Sequence, residues 1–140
     1  MKHHKNEVEV ATGAFIIRNR EILLVSGPKF HGKWTVPGGH VEFGETSKAC
    51  VEREVKEELN VEGKATEMFS SQEATKHNIC GRERHFVFLN WKCKINGEPK
   101  PDGVELTECV WMPLEEALDN TDVMDSIKEG IKRLAGEEKK

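Results

Sequence analysis

The chain has 140 residues, enough for one domain around a single hydrophobic core. Hydrophobic residues make up 36% and charged residues 33%, a balance that argues against a disordered segment or a membrane protein. A formal charge of −4 argues against general nucleic-acid binding, because displacing counterions from phosphates needs a basic surface.

The first residues, Met1-Lys2-His3-His4-Lys5-Asn6-Glu7, lack the apolar run of a secretory signal, so a cytoplasmic location is expected, with no membrane partner. Val8 to Arg18 reads as a strand ending in Ala14-Phe15-Ile16-Ile17. Asn19-Arg20 reads as a turn and Ile22-Leu23-Leu24-Val25 as a buried strand, which together predict a hairpin. A stretch marked by Gly and Pro runs from Gly27 to Gly44, interrupted by Trp34-Thr35-Val36, and leads to a helix from Thr46 to Leu59. Two more strands are predicted over Lys64 to Thr75 and Arg84 to Ile95, the second carrying Phe86, Phe88 and Trp91. Asn96-Gly97 breaks that run. After a loop with Pro and Gly, Cys109 to Met112 predicts a short strand, and Val123, Ile127, Ile131 and Leu134 give helical spacing over Asp122 to Leu134. Residues 136–140 read as a frayed tail. The mixture predicts an α+β fold in one domain over residues 1–140. Cysteines 50, 80, 93 and 109 form no close pair and read as reduced, mostly buried thiols.

The helix from Thr46 to Leu59 carries the chemistry. Thr46 is a good N-cap, since its hydroxyl can accept an orphan backbone N–H. Val51, Val55 and Leu59 form an apolar stripe, and Glu54, Glu57 and Glu58 fall in an arc beside it, so these carboxylates border the core. One explanation is a solvated helix whose glutamates pair with Lys48, Arg53 and Lys56. Against it, Glu57 and Glu58 occupy the last turn, where the helix dipole disfavours negative charge by roughly 0.3–1 kcal/mol each, and Glu54 and Glu58 are like charges one turn apart. A cation would reverse both penalties. Ligands that are all oxygen suit Mg²⁺, with Mn²⁺ as the alternative, better than zinc.

Gly39, Glu45, Arg53, Glu54, Val55, Glu57 and Glu58 stand in the register Gly, five residues, Glu, seven residues, Arg-Glu, aliphatic, any, Glu-Glu. In this the chain resembles the Nudix hydrolases, with a signature box at 39–61. The resemblance implies an α/β/α sandwich with a mixed sheet. It also implies metal ligands at Glu54, Glu57 and Glu58, with help from the backbone carbonyl of Gly38 or Gly39. By the same resemblance Arg53 orients the carboxylates, and Glu45 supports the site or reaches the metal through water. Glu54 and Glu105 are both candidates for the general base, with Glu108 a rival of Glu105. One position departs from the family pattern: Asn60 stands where Gly is usual, and Asn is the next best residue for the left-handed turn that ends a helix.

The implied reaction is Mg²⁺-dependent hydrolysis of a nucleoside diphosphate linked to another group. The flags of several branches are missing. No Pro occurs between Val61 and Glu98, the chain has no Tyr, and Ser71-Gln72-Glu73 only partly echoes the stretch of NADH hydrolases. Pro37 to Thr46 and Trp111 to Glu116 are most similar to the antimutator (MutT-like) nucleoside triphosphate pyrophosphatases. That branch implies a small-molecule nucleotide as substrate, turned into monophosphate and pyrophosphate. Trp34, Phe86 and Phe88 are candidates to clamp a base, and Arg18, Lys29, Lys33, Arg82 and Arg84 to meet phosphates. ADP-ribose or another diphosphate conjugate, a nucleotide-binding module without catalysis, and a structural calcium helix remain as alternatives. Oligomeric state is left open, a homodimer included.

Overall fold

The computed structural model describes residues 7–79 and 82–138. Five strands form one mixed sheet in the order β3-β4-β1-β2-β5. The strands are β1 (Val8–Arg18), β2 (Glu21–Ser26), β3 (Glu62–Ile79), β4 (Arg82–Asn96) and β5 (Glu108–Pro113). β1 runs parallel to β4, and the other neighbours are antiparallel.

Both faces of the sheet are covered, which explains why β1 and β2 are apolar without alternation. Phe15, Ile22 and Leu24 face one core with α2 (Leu114–Asp119) and α3 (Asp125–Glu138), where Ile127, Ile131 and Leu134 pack. Ala14, Ile16, Leu23 and Val25 face the other, against Val51, Val55 and Leu59 of α1 (Ser47–Leu59). The expected α/β/α sandwich with a mixed sheet is the observed one.

The hairpin of β1 and β2 forms as the sequence predicts, with Asn19 and Arg20 both at positive φ. Several boundaries differ. β3 and β4 are longer than expected because backbone pairing continues to Ile79 and Arg82 through polar residues, past register shifts such as that between Ala74 and His77. The last helix starts at Asp125, since Val123 bridges to Trp34 and Met124 donates its N–H to the Trp34 carbonyl. Residues 136–138 belong to that helix and not to a frayed tail, with Glu137 ion-paired to Lys92 of β4 at 3.1 Å. The short helix α2 carries no apolar period long enough to read. Cys50 and Cys93 are buried free thiols and Cys109 is a partly buried one, while Cys80 lies outside the described residues.

Candidate active site

The site is built where the loop Pro37-Gly38-Gly39-His40 crosses from β1 onto α1. Backbone bonds from Thr12 N–H to the Gly39 carbonyl and from Ala14 N–H to the Pro37 carbonyl, both 2.8 Å, lay the loop along β1. At Gly38 glycine is required by contact with backbone, while at Gly39 a side chain would have to displace the Glu54 carboxylate. A Cβ on Gly38 would lie 2.0 Å from the Thr12 carbonyl oxygen, and one on Gly39 would lie 2.5 Å from the Glu54 carboxyl carbon. The loop therefore sits directly against the carboxylates of the helix.

The helix begins and ends as its sequence dictates. Thr46 Oγ1 accepts the Ala49 N–H at 3.1 Å. Asn60 closes the helix in the left-handed region, φ 57° and ψ 33°, and donates its N–H to the Lys56 carbonyl. Within these ends Lys48 pairs with Glu52 and Lys56 with Glu62. Arg53 is then the helix cation beside Glu54 and Glu57, at 2.8 and 3.3 Å.

Arg53 is the hub of the cluster. Its Nε and Nη2 donate to the two oxygens of Glu45 at 2.7 and 3.0 Å, Nη1 donates to Glu54 and Glu57, and Nη2 also reaches the His40 carbonyl at 3.3 Å. The Arg53 hydrogen bonds hold the Glu45 carboxyl at about 2, well below the ordinary glutamate value, and Glu45 in turn raises the guanidinium pKa. Both Glu45 oxygens are taken up by Arg53, and Oε1 also accepts the Glu42 N–H at 3.1 Å.

Glu58 is the most unusual group. Its residue is only 7% exposed, and Oε1 accepts the Gly38 N–H at 3.2 Å. Burial first, then repulsion from Glu54 and Glu105, pushes its carboxyl up to about 8 despite that bond and the charge of Lys29. Glu54 is also raised, chiefly by burial, against the pull of Arg53, with repulsion from Glu57 and Glu105 adding to the rise. The structure thus brings Glu54, Glu58 and Glu105 within mutual repulsion. Glu108, the rival of Glu105, stands instead at the start of β5 opposite Ser26.

These residues suit a hard divalent cation. The donors are all oxygen, and two desolvated carboxylates held near a third carry a charge that a cation would neutralise. The glutamates are not gathered at one point. Among the described residues no three His, Cys, Asp or Glu side chains form a ready metal cluster, and Glu57, largely exposed, points to Arg53. Of the two loop carbonyls, that of Gly39 already accepts Thr12, which favours Gly38 as the one available to an ion.

Beside the carboxylates opens a cleft lined by Gly38, Gly39, Lys29, Phe86, Phe88 and Asn90, among others. Phe86 and Phe88 stack with centroids 5.1 Å apart and planes 16° apart. Asn90, 5% exposed, donates Nδ2 to Ser70 Oγ at 3.1 Å, and its Oδ1 faces Gly13 on the lining. Gln72, paired across the hairpin with Phe88, also lines the cleft.

Several sequence candidates fall elsewhere. Trp34 packs into the α3 core. Arg18 lies over Trp111 and pairs with Glu98, and Lys33 donates to the Thr121 carbonyl. Arg84 pairs with buried Glu9, whose carboxyl is held at about 2 first by that bond and then by His40, 2.8 Å away. The side chain of Arg82 lies outside the described residues. Sequence reasoning missed Glu9, Gln72 and Asn90; in the alternation Glu7-Val8-Glu9-Val10 nothing marked Glu9 as the buried acid.

The NUDIX domain profile matches residues 8–134, nearly the whole described chain. The chain belongs to the Nudix family. It is 39% identical over 98 residues to the NAD-capped RNA hydrolase NudC of Photobacterium profundum, covering 69% of this chain and 34% of that protein. It is 27% identical over 113 residues to Nudix hydrolase 8 of Arabidopsis thaliana, covering 77% of this chain and 30% of that one. The chain therefore spans about a third of the length of these curated relatives. Among solved structures, the E. coli ORF135 protein superposes with TM-score 0.77 at 25% identity, over 93% of this chain and 90% of that one. The MutT protein of Methanosarcina mazei Go1 shares the fold, with TM-score 0.81 at 22% identity, over 99% and 100%.

Proposed function

We propose that this Nudix chain hydrolyses a nucleoside diphosphate linked to another group, and that its substrate is a nucleoside triphosphate, standard or modified, cut to monophosphate and pyrophosphate. The observation that supports this most is the placement of partly buried Glu54 and buried Glu58 beside an aromatic cleft. Carboxylates desolvated against one another make a poor resting state and a good seat for Mg²⁺, or Mn²⁺, that arrives with a phosphate chain. Glu54, Glu57 and Glu58 would hold the cation with the Gly38 carbonyl, and Glu45 would act through Arg53. A bound cation supplies neutralisation of the phosphate oxygens and a more acidic water.

The residues of the chain do the rest. Arg53 fixes Glu54 and Glu57 from Glu45, so the acids need little reorganisation when substrate binds. The stacked Phe86 and Phe88, the first nearly fully buried, contribute apolar ring surface to the cleft for a base, and the amides of Asn90 and Gln72 offer polar groups to read its edge. Lys29, on the rim, supplies positive charge for the phosphate chain. Water attacks phosphorus as the anhydride bond breaks, and its proton passes to Glu54 or Glu105.

The test is a panel of nucleoside triphosphates, ADP-ribose, NAD-type dinucleotides and diadenosine polyphosphates with Mg²⁺, scoring phosphate and pyrophosphate separately. Pyrophosphate from a triphosphate at the highest kcat/KM supports the proposal. Preference for an NAD-type substrate would favour a second reading, carried by the 39% identity to a protein named for NAD-capped RNA and by Gln72 of the Ser71-Gln72-Glu73 echo lining the cleft. Tight binding without any product would leave a nucleotide-binding module.

A further inference from the structure

The residue that departs from the family pattern, Asn60, makes a bond that glycine cannot. Its backbone N–H already goes to the Lys56 carbonyl, so ending the helix does not require the side chain. Asn60 Nδ2 nevertheless donates to the Lys100 carbonyl at 2.9 Å, across 40 positions. The same stretch is tied to the last turn of α1 twice more, by Lys100 N–H to the Leu59 carbonyl at 2.8 Å and Asp102 N–H to the Glu58 carbonyl at 2.9 Å.

From that anchorage a compact turn leads to Glu105. Asp102 Oδ1 accepts the N–H groups of Val104 and Leu106 at 3.0 and 2.9 Å, and Gly103 N–H closes onto the Leu106 carbonyl at 2.8 Å. On the far side Thr107 N–H bonds the Ser26 carbonyl, and the Glu105 carbonyl oxygen lies so close to Gly27 that a Cβ there would be 2.0 Å away. Glu105 is thus clamped between two fixed ends while its exposed carboxylate reaches the field of Glu54 and Glu58.

We propose that Asn60, whose side chain clasps Lys100 to the end of the metal helix, and Asp102, whose side chain braces the turn that follows, are positioning residues that together aim Glu105 at the reacting water. The proposal rests on the reading of Glu105 as a proton acceptor. Helix termination alone does not account for Asn60, because Gly enters the left-handed region at lower cost. Nor does global stability, since one exposed neutral hydrogen bond contributes little to it, whereas a small shift of a base costs much in rate.

The experiment compares the parent with Asn60→Gly, Asp102→Ala, Asp102→Asn, Glu105→Gln and Asn60→Gly/Glu105→Gln. Pyrophosphate release from the standard nucleoside triphosphates with Mg²⁺ is followed alongside the melting temperature. Glu105→Gln is expected to lower kcat about 100-fold or more. Asn60→Gly should lower kcat about tenfold with KM within about twofold and the melting temperature held or raised, and Asp102→Ala should do likewise. Asp102→Asn keeps the accepting oxygen and should retain parental kcat. In the Glu105→Gln background Asn60→Gly should cost nothing further, since there is no longer a base to aim. An equal loss in both backgrounds, or parental kcat in Asn60→Gly while Glu105→Gln is impaired, would overturn the clasp. Parental activity in Glu105→Gln would instead remove Glu105 from catalysis, and the clasp with it.

Discussion

Replacing Glu58 by Gln isolates the group whose burial the proposed cation must offset. Gln keeps an oxygen to accept the Gly38 N–H and fills the same space, but it removes the charge. Glu58 is raised from 4.5 to about 8, so the native state binds the proton more tightly than the unfolded chain. Stability must then fall as pH rises from 4.5 to 8 and level off above 8. At pH 7 the penalty is about 3 kcal/mol, shrinking to under about 1 kcal/mol at pH 5. In EDTA, urea unfolding should therefore find Glu58→Gln more stable than the parent by up to about 3 kcal/mol at pH 7, with the gap closing toward pH 5. With Mg²⁺ and a non-hydrolysable triphosphate at about 100 times its Kd the gap at pH 7 should nearly close, because the parent gains about 2.7 kcal/mol and the variant much less. Its kcat should fall by about 100-fold or more. A variant no more stable than the parent at pH 7, or a gap of one size at both pH values, would refute the reasoning from desolvation. Near-parental hydrolysis would remove Glu58 from the metal site.

Gly39→Ala places a methyl group 2.5 Å from the Glu54 carboxyl carbon, so kcat is expected to drop about tenfold or more while urea unfolding shows a native-like transition. Arg53→Lys cannot pair with both Glu45 oxygens and still reach Glu54, and steady-state assays should show about a 100-fold loss in kcat with a smaller change in KM. For Glu9→Gln the sign is opposite to that of Glu58. Glu9 is depressed from 4.5 to about 2, so its stabilisation is present above pH 4.5 and lost as pH falls through 2. The parent should be more stable than Glu9→Gln at pH 6, and urea titrations should show that gap narrowing by about 2 kcal/mol at pH 3.

The helix α1 was legible because what makes it is local. Thr46 caps it, Val51, Val55 and Leu59 repeat at its period, and Asn60 ends it, all within one short segment. The strands β1 and β2 were legible for a similar reason, since two covered faces leave an unbroken apolar run. The ends of β3 and β4 were not. The residues past Thr75 in β3 and before Arg84 in β4 carry no strand signal, and backbone pairing between the two strands decides where they stop.

The sequence by itself determined the family, the helix of carboxylates and the glycine loop that must lie against it, because residues close in the chain share one local geometry. It also singled out Glu105, on resemblance alone. Only the tertiary structure decided that Glu58 is buried while Glu57 is turned to Arg53, since burial depends on what packs over each side chain. Only the parallel register of β1 and β4 brings Glu9 to Arg84, 75 positions on, and only the pairing of β3 with β4 sets Gln72 beside Phe88 and Ser70 beside Asn90 on the cleft. The bond from Asn60 to Lys100 belongs to the same class: neither residue carries a motif for it, and a loop of 40 positions must close before they meet.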